Sequence, residues 1–432
     1  MIYSIALNPV FYSQNMNPFK NRKILSWCMF DFANSSYSAV IASVVFPVYY
    51  AGKIVGNEAG LGDLWWGRAV SLSMVFVAVS SPFLGGIADY GGIRKRFLFI
   101  YTVLCVASVA FFSVLEPGMI FTGFILAVLA NIGMEGGLVF YNSFLPEIAE
   151  REYQGRVSSW GYALGYAGSI LSLLAALPLV TKGLFGETWL MVAVFFMFFS
   201  IPAFLYLPPD KKRREVISGA AASGLSYTWK TFREIWKKRD SRRFLIAFLI
   251  YEDGVNTVIV FSSIFAATTF GMGPPEIIAL YIFVQMTALA GAAIMARRVD
   301  LRGPKHVVSV SLILWILVAF FAFIAKEKLH FWLIAGVAGL GLGTVQAASR
   351  AFFAQFIPDG HESEYFGVYS LVGKSSAIAG PLIFGYLSTA YKSQRPAVLS
   401  VAAFFLAGLF IINTVKGGGP NTGKIRQNYE IG

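Results

Sequence analysis

The 432-residue chain is 56% hydrophobic and 13% charged, with a formal net charge of +12. A soluble domain carries about 25% charged residues, so lipid rather than water must solvate most of this apolar surface. The basic residues fall in short clusters between apolar runs, which argues against a nucleic-acid face; the two cysteines and three histidines form no ligand set, which argues against a metal site.

Residues 1–23 read as a short tail; they lack the charged start, apolar run and cleavage site of a secretory signal, and both Met1 and Met16 stand as starts. A membrane helix needs about 20 mainly apolar residues. Twelve such runs follow, near 24–50, 64–88, 97–115, 119–143, 157–180, 188–207, 244–268, 276–296, 306–325, 331–355, 365–390 and 396–414. The expected class is an all-α membrane protein with a six-helix bundle over 24–207, a basic linker over 208–243, a second six-helix bundle over 244–414 and a tail over 415–432. Trp27, Trp65, Trp66, Trp189 and Trp332 stand at span ends, where an interfacial role is expected.

The runs carry few charges, and those few are functional candidates because an ionisable group at membrane depth is costly unless paired or wet. Span 1 holds Asp31 with Asn34 one turn on, a pair that suits an ammonium, a proton or a structural hydrogen bond. The connection after span 2 reads Gly85-x-x-x-Asp89-Tyr-x-Gly92-x-Arg94-Lys95, a basic turn suited to gating. Span 4 holds Asn131 and Glu135 among Gly133, Gly136 and Gly137; a protonatable carboxylate there suits proton coupling, and a buried structural pair is the other reading. The linker carries Lys211, Lys212, Arg213 and Arg214 and an amphipathic stretch near 227–238, which reads as a helix on anionic head groups, with a regulatory docking site as the other reading. In span 7, Glu252 and Asp253 are adjacent and point about 100° apart, so one of them is expected in the cavity; Asp253, with Asn256, is the choice. Gln346 and Arg350 in span 10 and Lys374 in span 11 are candidates for a substrate carboxylate or for neutralising the acidic groups, and Gly380-Pro381 should kink span 11.

Basic residues also orient the array. One face collects Arg22, Lys23, Arg94, Lys95, Arg96 and the linker cluster, whereas the other has only scattered members such as Lys53, Arg68 and Lys182. That bias places both termini in the cytoplasm, with a cell (inner) membrane as the expected location.

The halves repeat each other. Phe144-Leu-Pro146-Glu147 recurs as Phe356-Ile-Pro358-Asp359, 212 positions later; Asp89-x-x-Gly92-x-Arg94 recurs as Asp300-x-x-Gly303-x-Lys305; and Asp31-x-x-Asn34 recurs as Asp253-x-x-Asn256. An even number of spans per half gives the halves one orientation, and parallel six-helix repeats resemble the major facilitator superfamily. The turn at Gly85–Lys95 resembles that superfamily's signature, with Tyr90 and Ile93 where arginines are usual. Closer still, Trp27-x-x-x-Asp31-Phe-Ala-Asn34-Ser35, Leu145-Pro-Glu147, Tyr251-x-Asp253-Gly254, Gln346-Ala-Ala-Ser349-Arg350 and Lys374-Ser-Ser with Gly380-Pro381 are similar to the fungal vacuolar amino-acid effluxer family linked to autophagy, and to its bacterial relatives.

The resemblance implies a secondary transporter of the facilitator fold, with amino-acid export carried over from the fungal members. The expectation is therefore a monomeric carrier in membrane lipid that moves a small polar or zwitterionic solute by alternating access, with a proton as the candidate coupling partner and no cofactor. Efflux of lipophilic drugs or lipids, and a non-transporting scaffold or sensor, are the alternatives. No nucleophile–base set or phosphate loop points to an enzyme. Glu135, Arg350 and Lys374 have no charged counterpart in the other half, which makes them the asymmetric candidates for substrate and coupling chemistry.

Overall fold

The computed structural model describes residues 21–87, 92–149, 154–210, 217–358 and 361–416. The first half consists of α1 (Arg22–Val55), α2 (Leu61–Gly86), α3 (Arg94–Phe111), α4 (Ile120–Asn142), α5 (Gln154–Thr181) and α6 (Phe185–Tyr206). A connecting helix, α7 (Ile217–Lys237), leads to α8 (Arg239–Phe270), α9 (Pro274–Arg302), α10 (Pro304–Ile324), α11 (Lys328–Ala354), the broken pair α12 (Glu362–Ser375) and α13 (Ala379–Tyr391), and α14 (Gln394–Thr414). Ten of these segments are individually long and apolar enough to cross a bilayer; α9 and the α12–α13 pair make up the twelve. An even count puts the start of α1, the end of α14 and α7 on one face, called here the terminal face.

Packing repeats between the halves. In the first, α1 packs on α5 and α6, and α4 on α2 and α3; in the second, α8 packs on α14, and α11 on α9 and α10. The bundles meet where α2 lies along α13, α5 along α9 and α1 along α8. The repeat is visible in the backbone as well: Gly92 and Gly303, which correspond in the two halves, both have positive φ, 67° and 80°, ahead of α3 and α10. Only glycine adopts that conformation without a Cβ penalty.

Spans whose apolar middles carry no charged residue face outward, as their composition requires. Phe99 and Ile100 on α3, Val194 and Phe198 on α6, Leu317 and Phe320 on α10, and Leu406 and Phe410 on α14 are exposed. The interior of the first bundle is aromatic. Phe46 stacks on Phe112 at 3.9 Å between centroids and meets Trp189 edge-on at 5.4 Å. This corrects the tryptophan expectation: Trp27, Trp66 and Trp189 are buried rather than interfacial, and the indole N–H of Trp27 donates to the Tyr141 carbonyl at 3.1 Å. A short span-end position does not fix which way the ring points, and here the ring's large apolar area is satisfied inside.

α1 is not a uniform helix. Residues Tyr37–Val44 and Tyr50–Val55 form wide π turns. Pro47 explains the first of them: it cannot donate to the carbonyl of Ser43 four residues back, and its ring crowds that carbonyl, so the helix widens there. The widening brings Tyr37, Ile41 and Ala42 to the space between the bundles.

Candidate functional site

Between the bundles lies a cavity of about 340 Å³. Its wall takes Tyr37 and Ile41 from α1, Trp66, Ala69 and Met74 from α2, Asn131 and Glu135 from α4, Glu252 and Asn256 from α8, and Tyr369, Ser370, Gly373 and Lys374 from α12. The spacings are helical: Asn131 and Glu135, Glu252 and Asn256, and Ser370 and Lys374 are each four residues apart, so each pair shares a face. Aliphatic and aromatic side chains fill the rest, the usual make-up of a small-molecule site with a few convergent polar groups.

One ion pair crosses this cavity from bundle to bundle. Lys374 Nζ lies 3.0 Å from Glu135 Oε2 and also donates to the Glu135 carbonyl at 2.9 Å. The two side chains are 13% and 28% exposed, so the pair is neither dry nor free in water. Asn131 donates to Ser73 Oγ at 2.6 Å and Asn256 to Ser376 Oγ at 3.2 Å. Glu252 is 8% exposed, and its Oε2 has no hydrogen-bond partner among the described residues.

The adjacent carboxylates of α8 thus take opposite roles from those expected. Glu252 lines the cavity, whereas Asp253 turns toward the break between α12 and α13. Pro381 has no N–H to donate to the Ala377 carbonyl four residues back, and its ring crowds that carbonyl, so the span breaks at residues 376–378 and leaves orphan donors at the start of α13. Asp253 Oδ1 accepts the Gly380 N–H at 2.9 Å and so caps α13. A Cβ at Gly380 would come within 1.9 Å of Thr257 Oγ1, so glycine is required for the approach. The repeat-related pair stays together: Asn34 donates to Asp31 Oδ1 at 3.5 Å, with Gly161 and Gly165 of α5 packed over Asp31. Asp31, Asn34 and Asp253 therefore lie off the cavity wall.

Gln346 and Arg350 also lie off that wall, nearer the terminal face, and both are exposed. Arg350 Nη2 reaches the Tyr162 hydroxyl at 3.4 Å, a contact from α11 to α5. With Tyr162 itself 53% exposed, the cleft between the bundles is accessible from that face.

The opposite face is closed. Asp63, at the start of α2, is fully buried and accepts from Gln394 Nε2 at 2.8 Å and 3.0 Å, from Asn57 Nδ2 at 3.0 Å and from the Ser388 hydroxyl. Asn57 also donates to Thr268 at 3.3 Å, and Thr389 donates to the Gly60 carbonyl at 2.8 Å. A Cβ at Gly67 would fall 2.4 Å from the Pro381 carbonyl, so α2 and α13 touch backbone to backbone. These contacts join the bundles and seal one end of the cavity. Asp63 was not among the candidates read from the sequence, because its partners in the other bundle lie 325 and 331 residues away.

The candidate gating residues behave differently. Arg94 pairs with Glu147 at 3.2 Å and donates to the Ser143 carbonyl at 2.8 Å, which ties α3 to the end of α4 within the first bundle. Lys305 donates to the Val415 carbonyl at 2.6 Å, within the second. These contacts brace each bundle and do not cross between bundles. Around Gly85 an added Cβ would meet nothing within 4 Å. Asp89 lies outside the described residues, and Asp300 lies on α9.

Residues 68–417 match the family model described as "Vacuole effluxer Atg22 like". The chain is 27% identical over 404 residues to an uncharacterized MFS-type transporter, YxiO, of Bacillus subtilis, covering 90% of this chain and 93% of the relative. It is 23% identical to autophagy-related protein 22-1 of Aspergillus niger, covering 78% and 70%. Among solved structures, it superimposes on a bacterial homologue of the human lysosomal transporter Spinster, inward-facing and occupied, with TM-score 0.68, 13% identity and 93% and 98% coverage. The nucleoside transporter NupG gives TM-score 0.66 at 14% identity, with 93% and 99% coverage. At these identities the structural likeness establishes the major facilitator fold.

Proposed function

Because this chain belongs to the vacuole effluxer Atg22-like family and is a transporter of the major facilitator type, we propose that its central cavity carries a small zwitterionic solute of the amino-acid class. Lys374 receives the carboxylate and Glu252 the ammonium group. The observation that carries this reading is the placement of Lys374 and Glu252 on one cavity wall, with Lys374 already paired to Glu135. A substrate carboxylate competes with Glu135 for Lys374, and the released Glu135 is then the group that exchanges a proton with water in the cavity. The Glu252 carboxylate oxygen that has no partner among the described residues gains a donor at the same moment, which offsets the cost of its burial. Asn131 and Asn256 supply neutral contacts on facing helices.

A volume of about 340 Å³ is at the lower end of ligand sites, which span roughly 300–1,000 Å³. It suits a small polar solute better than a lipophilic drug or a lipid. Alternating access follows from the two ends: contacts around Asp63 close one, and the other is crossed by Arg350 and Tyr162. The basic bias of the terminal face supports a cytoplasmic orientation, and a cleft open on that side is in keeping with loading from inside and export across the cell membrane. Counterflow in proteoliposomes over an amino-acid panel, with and without a pH gradient, tests the proposal. Flux of at least one member that Glu252→Gln abolishes supports it; absence of flux for every member sinks it.

A further inference from the structure

The linker helix α7 presents three distinct stripes. Gly224, Thr231 and Ile235 are buried. Along the neighbouring stripe, at helical spacing, lie Leu225, Trp229, Phe232 and Trp236; Trp229 is 56% and Trp236 40% exposed, and the three rings stack on one another at 5.7 Å and 5.2 Å. Next around the helix come Lys230, Arg233 and Lys237, all exposed. Arg233 also lies over the Trp229 ring, 5.8 Å from its centroid.

The buried stripe fixes the helix in height. A Cβ on Gly224 would lie 2.2 Å from Gly86 Cα, at the last turn of α2, so α7 sits where the spans leave the bilayer. It touches α12 as well as α2, and Lys238, just after it, donates to the Tyr365 hydroxyl at 3.1 Å. One helix therefore bridges the two bundles at the terminal face.

We infer that α7 is a docking surface for an anionic phospholipid bilayer, with the Trp229–Phe232–Trp236 stripe entering the head-group region and Lys230, Arg233 and Lys237 meeting the lipid phosphates. Exposed stacked indoles are costly in water but favoured at the membrane interface, where one side of the ring is apolar and the other wet. A basic stripe beside an aromatic one is the composition of interfacial helices that bind acidic lipid. Charge complementarity selects the bilayer over a second copy of the chain, whose own α7 carries the same positive charge. The inference does not depend on what the cavity transports.

Hydrogen–deuterium exchange on the full-length protein in nanodiscs tests it, comparing phosphatidylcholine alone with an equimolar mixture with phosphatidylglycerol. Exchange across 225–237 is expected to slow in the anionic discs. Lys230→Gln should cut the added protection about fivefold, and Lys230→Gln/Arg233→Gln/Lys237→Gln should abolish it. Trp229→Ser/Trp236→Ser should lower protection in both lipids while leaving α8 exchange unchanged. Equal exchange in the two lipids overturns the inference. So does protection that follows the number of protein copies per disc, or protection reproduced by soluble glycerol phosphate without anionic lipid.

Discussion

Replacing Lys374 by Gln removes the cation of the pair that crosses the cavity, and its effects can be worked from the geometry. Lys374 makes two contacts with Glu135, at 3.0 Å to the carboxylate and 2.9 Å to the carbonyl. Breaking a fully buried pair costs about 3–5 kcal/mol, whereas an exposed pair contributes about 0–1 kcal/mol. Glu135 is 28% exposed and Lys374 13%, so the variant should lose an intermediate amount, about 2 kcal/mol. The double variant Glu135→Gln/Lys374→Gln should recover at least half of that, since no charge is then left unpaired. Thermal unfolding in detergent of the wild type, both single variants and the double variant gives this cycle. In transport, loss of a charge-assisted bond to the substrate carboxylate, about 1.5–3 kcal/mol, should raise the half-saturation concentration roughly tenfold to hundredfold. Wild-type stability together with a half-saturation concentration unchanged within about twofold would refute the assignment.

Asp253→Ala should destabilise the protein by about 1 kcal/mol through loss of the cap on α13, whereas Asp253→Asn, which keeps an acceptor oxygen, should cost less; thermal midpoints separate the two. Asp63→Ala leaves Gln394 and Asn57 without their shared acceptor and should open the closed face. A cysteine introduced at the cavity position Ala69 should then react faster with an impermeant thiol reagent added on that side. Gly67→Ala places a methyl against the Pro381 carbonyl and should give the same labelling phenotype without any change of charge. Arg350→Ala should leave the affinity for substrate within about threefold of wild type, because Arg350 lies off the cavity wall, while altering the rate of counterflow.

The spans were legible because the length of an apolar run is set by bilayer thickness, and the twelve runs correspond in order to the helices and the broken pair. Glu135 and Lys374 were legible for a related reason: a charge at membrane depth needs a partner, and each is the other's. Repeat symmetry misled the reading of α8. It matched Asp253-x-x-Asn256 to Asp31-x-x-Asn34, whereas helical phase alone pairs Glu252 with Asn256 four residues on, and these two line the cavity. The sequence also showed that span 11 would bend at Pro381, but not that the bend would claim Asp253 as its cap. The closure around Asp63 was out of reach, since it joins side chains from opposite halves and no local pattern announces it. Burial of Trp27, Trp66 and Trp189 depended likewise on which neighbours the bundle supplies.

The most direct measurement is binding of three matched ligands to the purified protein: an amino acid, the corresponding amine without its carboxylate, and the corresponding acid without its amino group. The wild type should bind the amino acid and discriminate against both analogues. Lys374→Gln should lose discrimination against the amine alone, and Glu252→Gln against the deaminated acid alone. Equal binding of all three ligands to the wild type, or loss of both discriminations in either single variant, would contradict a cavity that reads the two ends of a zwitterion separately.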